Sequence, residues 1–132
     1  MKISFVNGCF DVLHPGHIEM LKYARSSGDY LIVAIDSDRK VAEMKGPERP
    51  IFPQQDRALM LKAIRYVDVV HIFDTKEDLE QLLESIQPDI MVIGSDWKGK
   101  EVVGSQYAKS VRFFDRIGGY STTKTIQGSS YR

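Results

Sequence analysis

His14 and His17 stand three residues apart, with Pro15 and Gly16 between them, in the stretch Gly8-Cys9-Phe10-Asp11-Val12-Leu13-His14-Pro15-Gly16-His17. Imidazole N–H groups donate hydrogen bonds to phosphoryl oxygens. Pro15 suits the first turn of a helix, where its missing N–H would be unpaired anyway. A helix start offers unpaired N–H groups and partial positive charge, both of which favour phosphate. Gly16 has no side chain, so a phosphate can approach the backbone closely. Nucleotidyl and phosphoryl transfer need positioning and charge stabilisation more than a protein nucleophile. These residue types fit that task. Two other readings stay open on spacing alone. A histidine beside an apolar helix is often structural, and a His pair can bind a metal. A zinc site would want further His or Cys, and only His71 and Cys9 remain. Cys9 is expected to be a small buried residue at a strand end, since no base that would activate it can be placed.

The elements that must position this stretch follow from the apolar pattern. Lys2 to Val6 is β-rich and ends at Asn7-Gly8, a strand running into a turn. Ile18, Met20, Leu21 and Ala24 form a helical stripe, and Gly28 suits the position past the helix end. Tyr30 to Ile35 is a continuous apolar run, as in a strand buried on both faces. From Asp36 to Gln55 the pattern predicts about twenty residues of loop, long enough to be functional or mobile. Gln54 to Ile64 is then a helix with Leu59, Met60 and Ala63 inward. Asp68 to Phe73 is a strand, Lys76 to Ile86 an amphipathic helix, Asp89 to Ile93 a buried strand and Val111 to Phe114 a short last strand. Ser121-Thr122-Thr123-Lys124 opens a final helix with Ser or Thr as its cap. Strands alternating with helices predict a parallel sheet covered on both faces, with ligands beyond the carboxyl ends of the strands.

The chain of 132 residues fits one domain, with 42% hydrophobic and 27% charged residues. Acidic and basic residues balance at 18 each, which argues against a general nucleic-acid binder. No apolar run approaches the roughly 20 residues that span a bilayer, and Met1 to Val6 is too short for a signal peptide. With Cys9 the only cysteine, no internal disulfide forms, and a reducing cytoplasmic location is expected.

Gly8 to His17 resembles the His-x-Gly-His signature of the cytidylyltransferase-like nucleotidyltransferases. Ser121-Thr122-Thr123 resembles the Ser-Thr-Thr that opens their C-terminal helix. The similarity runs from about residue 3 to about residue 127. It implies an α/β fold: a single domain over residues 1–132, with a doubly wound, Rossmann-like, five-stranded parallel sheet. It also implies the reaction NTP + R-phosphate → NDP-R + pyrophosphate with Mg²⁺, and a homodimer. No protein metal ligand is assigned.

Two subfamilies compete for the acceptor. Arg65-Tyr66-Val67-Asp68, Gly94-Ser95-Asp96-Trp97-Lys98-Gly99-Lys100 and Arg116 look like glycerol-3-phosphate cytidylyltransferase, although the residues between Arg116 and Ser121 depart from its pattern. Lys45-Gly46-Pro47-Glu48-Arg49-Pro50, Pro53, Arg57 and Val102-Val103-Gly104-Ser105 are similar to the heptose-1-phosphate adenylyltransferase domain. The leading expectation is CTP with a small polyol phosphate such as glycerol 3-phosphate. The alternative is ATP with heptose 1-phosphate.

The resemblance also implies roles. His14, His17 and Lys45 would stabilise the transferring phosphate. Gly8, Phe10, Asp11, Gly16, Asp96, Arg116, Ser121 and Thr122 would bind the nucleotide. Arg57 would grip the acceptor phosphate, and Trp97 and Ser105 would help to choose the acceptor. Each has a plainer alternative: Lys45 and Arg49 as solvated loop charges, Arg57 paired with a carboxylate, Asp96 as a turn residue, Trp97 as a core or interface aromatic. Two rival functions, a non-catalytic nucleotide sensor and an RNA-binding relative of the aminoacyl-tRNA synthetases, fit the intact histidine pair and the neutral charge less well.

Overall fold

The computed structural model describes residues 1–115. Arg116, Ser121 and Thr122 lie outside the described residues. Five strands are present: β1 (Ile3–Gly8), β2 (Tyr30–Asp36), β3 (Val69–Phe73), β4 (Ile90–Gly94) and β5 (Ser110–Phe114). Between them lie α1 (Pro15–Ser26), α2 (Asp38–Lys45), α3 (Gln54–Lys62) and α4 (Lys76–Ile86). The sheet order is β3-β2-β1-β4-β5, and every pairing is parallel.

β1 is the middle strand. Phe5 pairs with Ile32 on one side and Met91 on the other. Phe5, Val6, Leu31, Val33, Ala34 and Ile35 are fully buried, because helices cover both faces of the sheet. One face packs Val6, Leu31, Val33, Ile35 and Val92 against Leu21 and Ala24 of α1 and Ala58 and Leu61 of α3. The other packs Phe5, Ile32, Ala34 and Met91 against Leu79 and Leu83 of α4. The chain leaves β1 towards β2 on one side and reaches β4 on the other. The loops after β1 and β4 therefore part, opening the crevice where open parallel sheets take their ligands.

α1, α2 and α4 begin where a side chain answers the first N–H groups, whereas α3 starts after Pro53 without a side-chain cap. The Ser37 hydroxyl accepts from Lys40 N at the start of α2, and Thr75 and Asp78 cap α4 reciprocally. No described helix is long and apolar enough to cross a membrane.

Three expectations need correction. The predicted loop from Asp36 to Gln55 contains α2, so the irregular segment is only 46–53. The inward face of α3 is Arg57, Ala58 and Leu61, while Leu59 is 67% exposed and Ala63 is also outward. Ser105 belongs to a short 3-10 turn, Ser105–Tyr107, leading into the start of β5. Gly104 beside it sits against Leu83 of α4. That places Ser105 towards the amino ends of the strands, away from the crevice.

Candidate active site

The His-Pro-Gly-His turn is a reciprocal helix cap. His14 is the N-cap of α1, with extended backbone. Its Nδ1 accepts from Gly16 N at 3.1 Å, and His17 Nδ1 accepts from His14 N at 3.2 Å. The two rings stack with centroids 3.8 Å apart and planes 21° apart. A nitrogen that accepts an N–H carries no proton, so each neutral ring has its hydrogen on Nε2. Both Nδ1 edges face the helix start, and both Nε2 edges are turned away from it. The sequence suggested that phosphate meets bare helix amides. Instead, Gly16 N–H is already bonded to His14, and donation falls to the imidazoles.

Phe10 adopts a left-handed backbone, φ 50°, unusual for a bulky residue and costing about 1 kcal/mol or more. The conformation folds its buried ring over Gly8, where an added Cβ would lie 3.1 Å from Phe10 Cε2. The same ring sits 5.1 Å from that of His17. Gly8 and Phe10 thus shape the loop under the histidine pair.

Asp11 was expected to bind nucleotide. Its carboxylate is fully buried and turned inward. It accepts from Arg49 Nε at 2.9 Å, from Ile51 N at 2.9 Å and from Phe52 N at 3.0 Å. Burial pushes this carboxyl up. The N–H groups of Phe52 and Ile51 and the Arg49 guanidinium outweigh that and hold it below the usual carboxylate range. Asp11 therefore ties segment 46–53 to the loop after β1.

Arg57 was expected to grip the acceptor phosphate, and its guanidinium is turned instead to the protein's own oxygens. It is fully buried. Nε donates to Phe52 O at 2.9 Å, and Nη1 donates to Cys9 O at 2.9 Å and to Asp36 O at 2.8 Å. Nη2 meets Asp38 Oδ1 at 2.9 Å. The physical reason is that carbonyls at the ends of β1 and β2 and in segment 46–53 converge there and need donors away from water. A planar guanidinium with several fixed N–H groups answers them at once.

Lys45 is exposed at the end of α2, and its charge is felt by Cys9 and Asp36. That places a cation beside the loop after β1. Burial pushes the half-buried Cys9 thiol up, which disfavours the nucleophilic thiolate. Asp96 and Trp97 form a 3-10 turn directly after β4, on the far wall of the crevice, and Trp97 is half-exposed. Lys100 Nζ lies 5.8 Å from the Trp97 ring centre. Among the described residues no group of three or more His, Cys, Asp or Glu is arranged to hold a metal ion. Sequence reasoning missed Arg49 as a site residue. Its place in the Lys45–Pro50 segment was the only signal, because its partner Asp11 lies 38 residues away.

A family model described as cytidylyltransferase-like matches residues 5–126. The chain belongs to the cytidylyltransferase-like family. It is a nucleotidyltransferase, and its five-stranded parallel sheet is the fold of that family. Bifunctional protein HldE of a Nitratiruptor species is 49% identical over 126 residues, covering 96% of this chain and 27% of that protein. The HldE proteins of Campylobacter fetus subsp. fetus and Helicobacter pylori are 49% and 44% identical, covering 92% and 96% of this chain and 26% and 27% of those proteins. The chain thus spans about a quarter of the length of these curated relatives. A crystal structure of the lipopolysaccharide core biosynthesis protein from Thermoplasma volcanium superposes with a TM-score of 0.71 at 28% identity, covering 86% of this cytidylyltransferase-like chain and 97% of that one. The pantoate-β-alanine ligase of Francisella tularensis, at 17% identity and a TM-score of 0.65, shares the fold over 98% of this chain and 66% of its own.

Proposed function

We propose that this nucleotidyltransferase is a heptose-1-phosphate adenylyltransferase: ATP + heptose 1-phosphate → ADP-heptose + pyrophosphate. The leading expectation from sequence was CTP with a polyol phosphate, and the relatives favour the alternative. The observation that carries this reading is the clamp on Asp11. The segment Lys45–Pro50, whose residues are similar to the heptose subfamily, is bonded through Arg49 to the loop of the His-x-Gly-His motif. It is thus an integral wall of the site rather than a decorated surface loop. The HldE relatives at 44–49% identity support the same assignment.

The reaction is a direct in-line displacement. An oxygen of the acceptor phosphate attacks the α-phosphorus, and pyrophosphate leaves on the opposite side. The Nε2–H groups of His14 and His17 and the Lys45 ammonium stabilise the charge that builds on the phosphoryl oxygens. No general base is needed, because a phosphate dianion is already a nucleophile at neutral pH. Mg²⁺ would be held chiefly by the nucleotide's phosphates and would supply charge neutralisation there, with no protein ligand assigned to it.

Pyrophosphate release from CTP, ATP, GTP and UTP, each with heptose 1-phosphate and with glycerol 3-phosphate, tests the proposal. ATP with heptose 1-phosphate is expected to exceed every other pair by at least tenfold. A preference for CTP and glycerol 3-phosphate sinks it in favour of the second reading, which the position of Asp96 and Trp97 beside the crevice keeps in view.

A further inference from the structure

Arg49 is 8% exposed, and its ion pair with Asp11 uses Nε alone. Its Nη2 is buried and has no hydrogen-bond partner among the described residues. Ser4 Oγ is the other such atom among the described residues. A hydroxyl in a strand is a small loss. A charged guanidinium that has left water with a donor unmet is a large one, and such groups mark a place where something else binds.

The contrast with Arg57 is informative. Both arginines are buried beside the loop after β1, yet every nitrogen of Arg57 has an acceptor. The fold gives every nitrogen of one guanidinium an acceptor. It leaves Nη2 of the other without one among the described residues, on the segment that walls the site.

We propose that Arg49 is a substrate-contacting residue, with Nη2 donating to a phosphoryl oxygen in the nucleotidyl transfer assigned above. The proposal rests on that reading. Asp11 holds the guanidinium by Nε and fixes the plane of the fork. A phosphoryl oxygen then meets a donor already oriented, and the charge-assisted bond replaces the missing partner. The phosphate contact that sequence assigned to Arg57 is thus moved to Arg49, for whichever of the two substrates Nη2 meets. Access comes from one end of the segment. Ile51 and Phe52 are pinned to Asp11, and Phe52 O to Arg57. The turn from Gly46 to Arg49 is closed by a single backbone bond, Arg49 N to Gly46 O, and Gly46 takes a positive φ of 109°. A small opening of that turn uncovers Nη2 without breaking the clamp.

The acceptor phosphate and the triphosphate offer the same oxygens, and kinetics separate them. Arg49→Lys keeps a cation for Asp11 but loses the second, fixed donor. The KM of the substrate whose phosphate Nη2 meets is expected to rise at least tenfold, with the other KM within twofold. A rise for the acceptor assigns the acceptor phosphate, and a rise for the nucleotide assigns the triphosphate. A structural role would lower thermal stability and kcat without a selective rise in KM. Both KM values within twofold of wild type overturn the proposal. A second measurement needs neither a folded variant nor turnover. In the wild-type chain, the ¹⁵N guanidinium resonances of Arg49 are followed while ATP, CTP, heptose 1-phosphate, glycerol 3-phosphate and inorganic phosphate are added in turn. A shift with any of them supports the contact, even if the panel above assigns a different substrate pair. No shift with any of them ends it.

Discussion

Arg57 Nη1 donates to the carbonyl oxygen of Cys9 at 2.9 Å, across 48 residues of chain. The same guanidinium reaches Asp36 O and Phe52 O, so three separate segments on the active face converge on one buried side chain.

Arg57→Lys is expected to lower stability by about 3 kcal/mol in urea denaturation, because one ammonium cannot satisfy carbonyls on three segments. Both substrate KM values should move together, since the loops shift as a group. A stability loss below about 1 kcal/mol, with a selective rise in acceptor KM, would return Arg57 to the substrate.

His17 has two jobs that a pair of variants separates. His17→Ala removes both the acceptor for His14 N–H and the Nε2–H donor. Turnover should fall about a hundredfold or more, and stability by about 1 kcal/mol. In His17→Asn an amide oxygen can take the place of Nδ1. Stability should return to within about 0.5 kcal/mol of wild type while turnover stays low. Recovery of turnover in the Asn variant would show that the cap alone matters.

Asp11 predicts a pH dependence. Its carboxyl sits below its ordinary range, against burial and because of the Phe52 and Ile51 amides and Arg49. A group whose folded value lies below its unfolded value, about 3.9 for Asp, adds stability above that unfolded value. The contribution is lost as pH falls through the folded value. The stability gap between wild type and Asp11→Asn should therefore be widest between about pH 5 and 7 and close below about pH 4. Asp74 and Asp89 shift in the same direction in both proteins and cancel in the difference. An equal gap at both ends of the range would mean that Asp11 is not ionised in the folded state.

Gly104→Ala should separate stability from function. Gly104 has φ 79°, and an added Cβ would run into Leu83 Cδ1. A loss of about 1–3 kcal/mol is expected, with nucleotide affinity unchanged. Ser105→Ala, beside it, should leave acceptor preference alone. A change in that preference would place the 3-10 turn at the site after all.

The strand–helix alternation was legible because β1, β2 and β4 carry apolar runs and α4 carries a clean stripe at Leu79, Leu82, Leu83 and Ile86. The histidine turn was legible because Pro15 and Gly16 mark a helix start. α2 was not. It buries only Val41, so no stripe announces it, although Ser37 before Asp38 is an ordinary N-cap. In α3 the phase was misread because a charged residue fills a fully buried position. Arg57 and Leu61 are four apart on the inward face, and the pattern of apolar residues alone favours Leu59. The clamp from Arg49 to Asp11 joins distant segments, and local pattern carries no trace of such a pairing.

The dryness of Arg57 also sets the grain of motion on this face. A charge with no exposure cannot be left half bonded, so the ends of β1 and β2 and the residues around Phe52 loosen together or not at all. Amide hydrogens in those three places should exchange at a common, slow rate. Those of the turn from Gly46 to Glu48, outside the knot, should exchange faster and alone. The face then works as a fixed anvil with one short moving lip, and any gain in rate from greater flexibility has to be found in that lip.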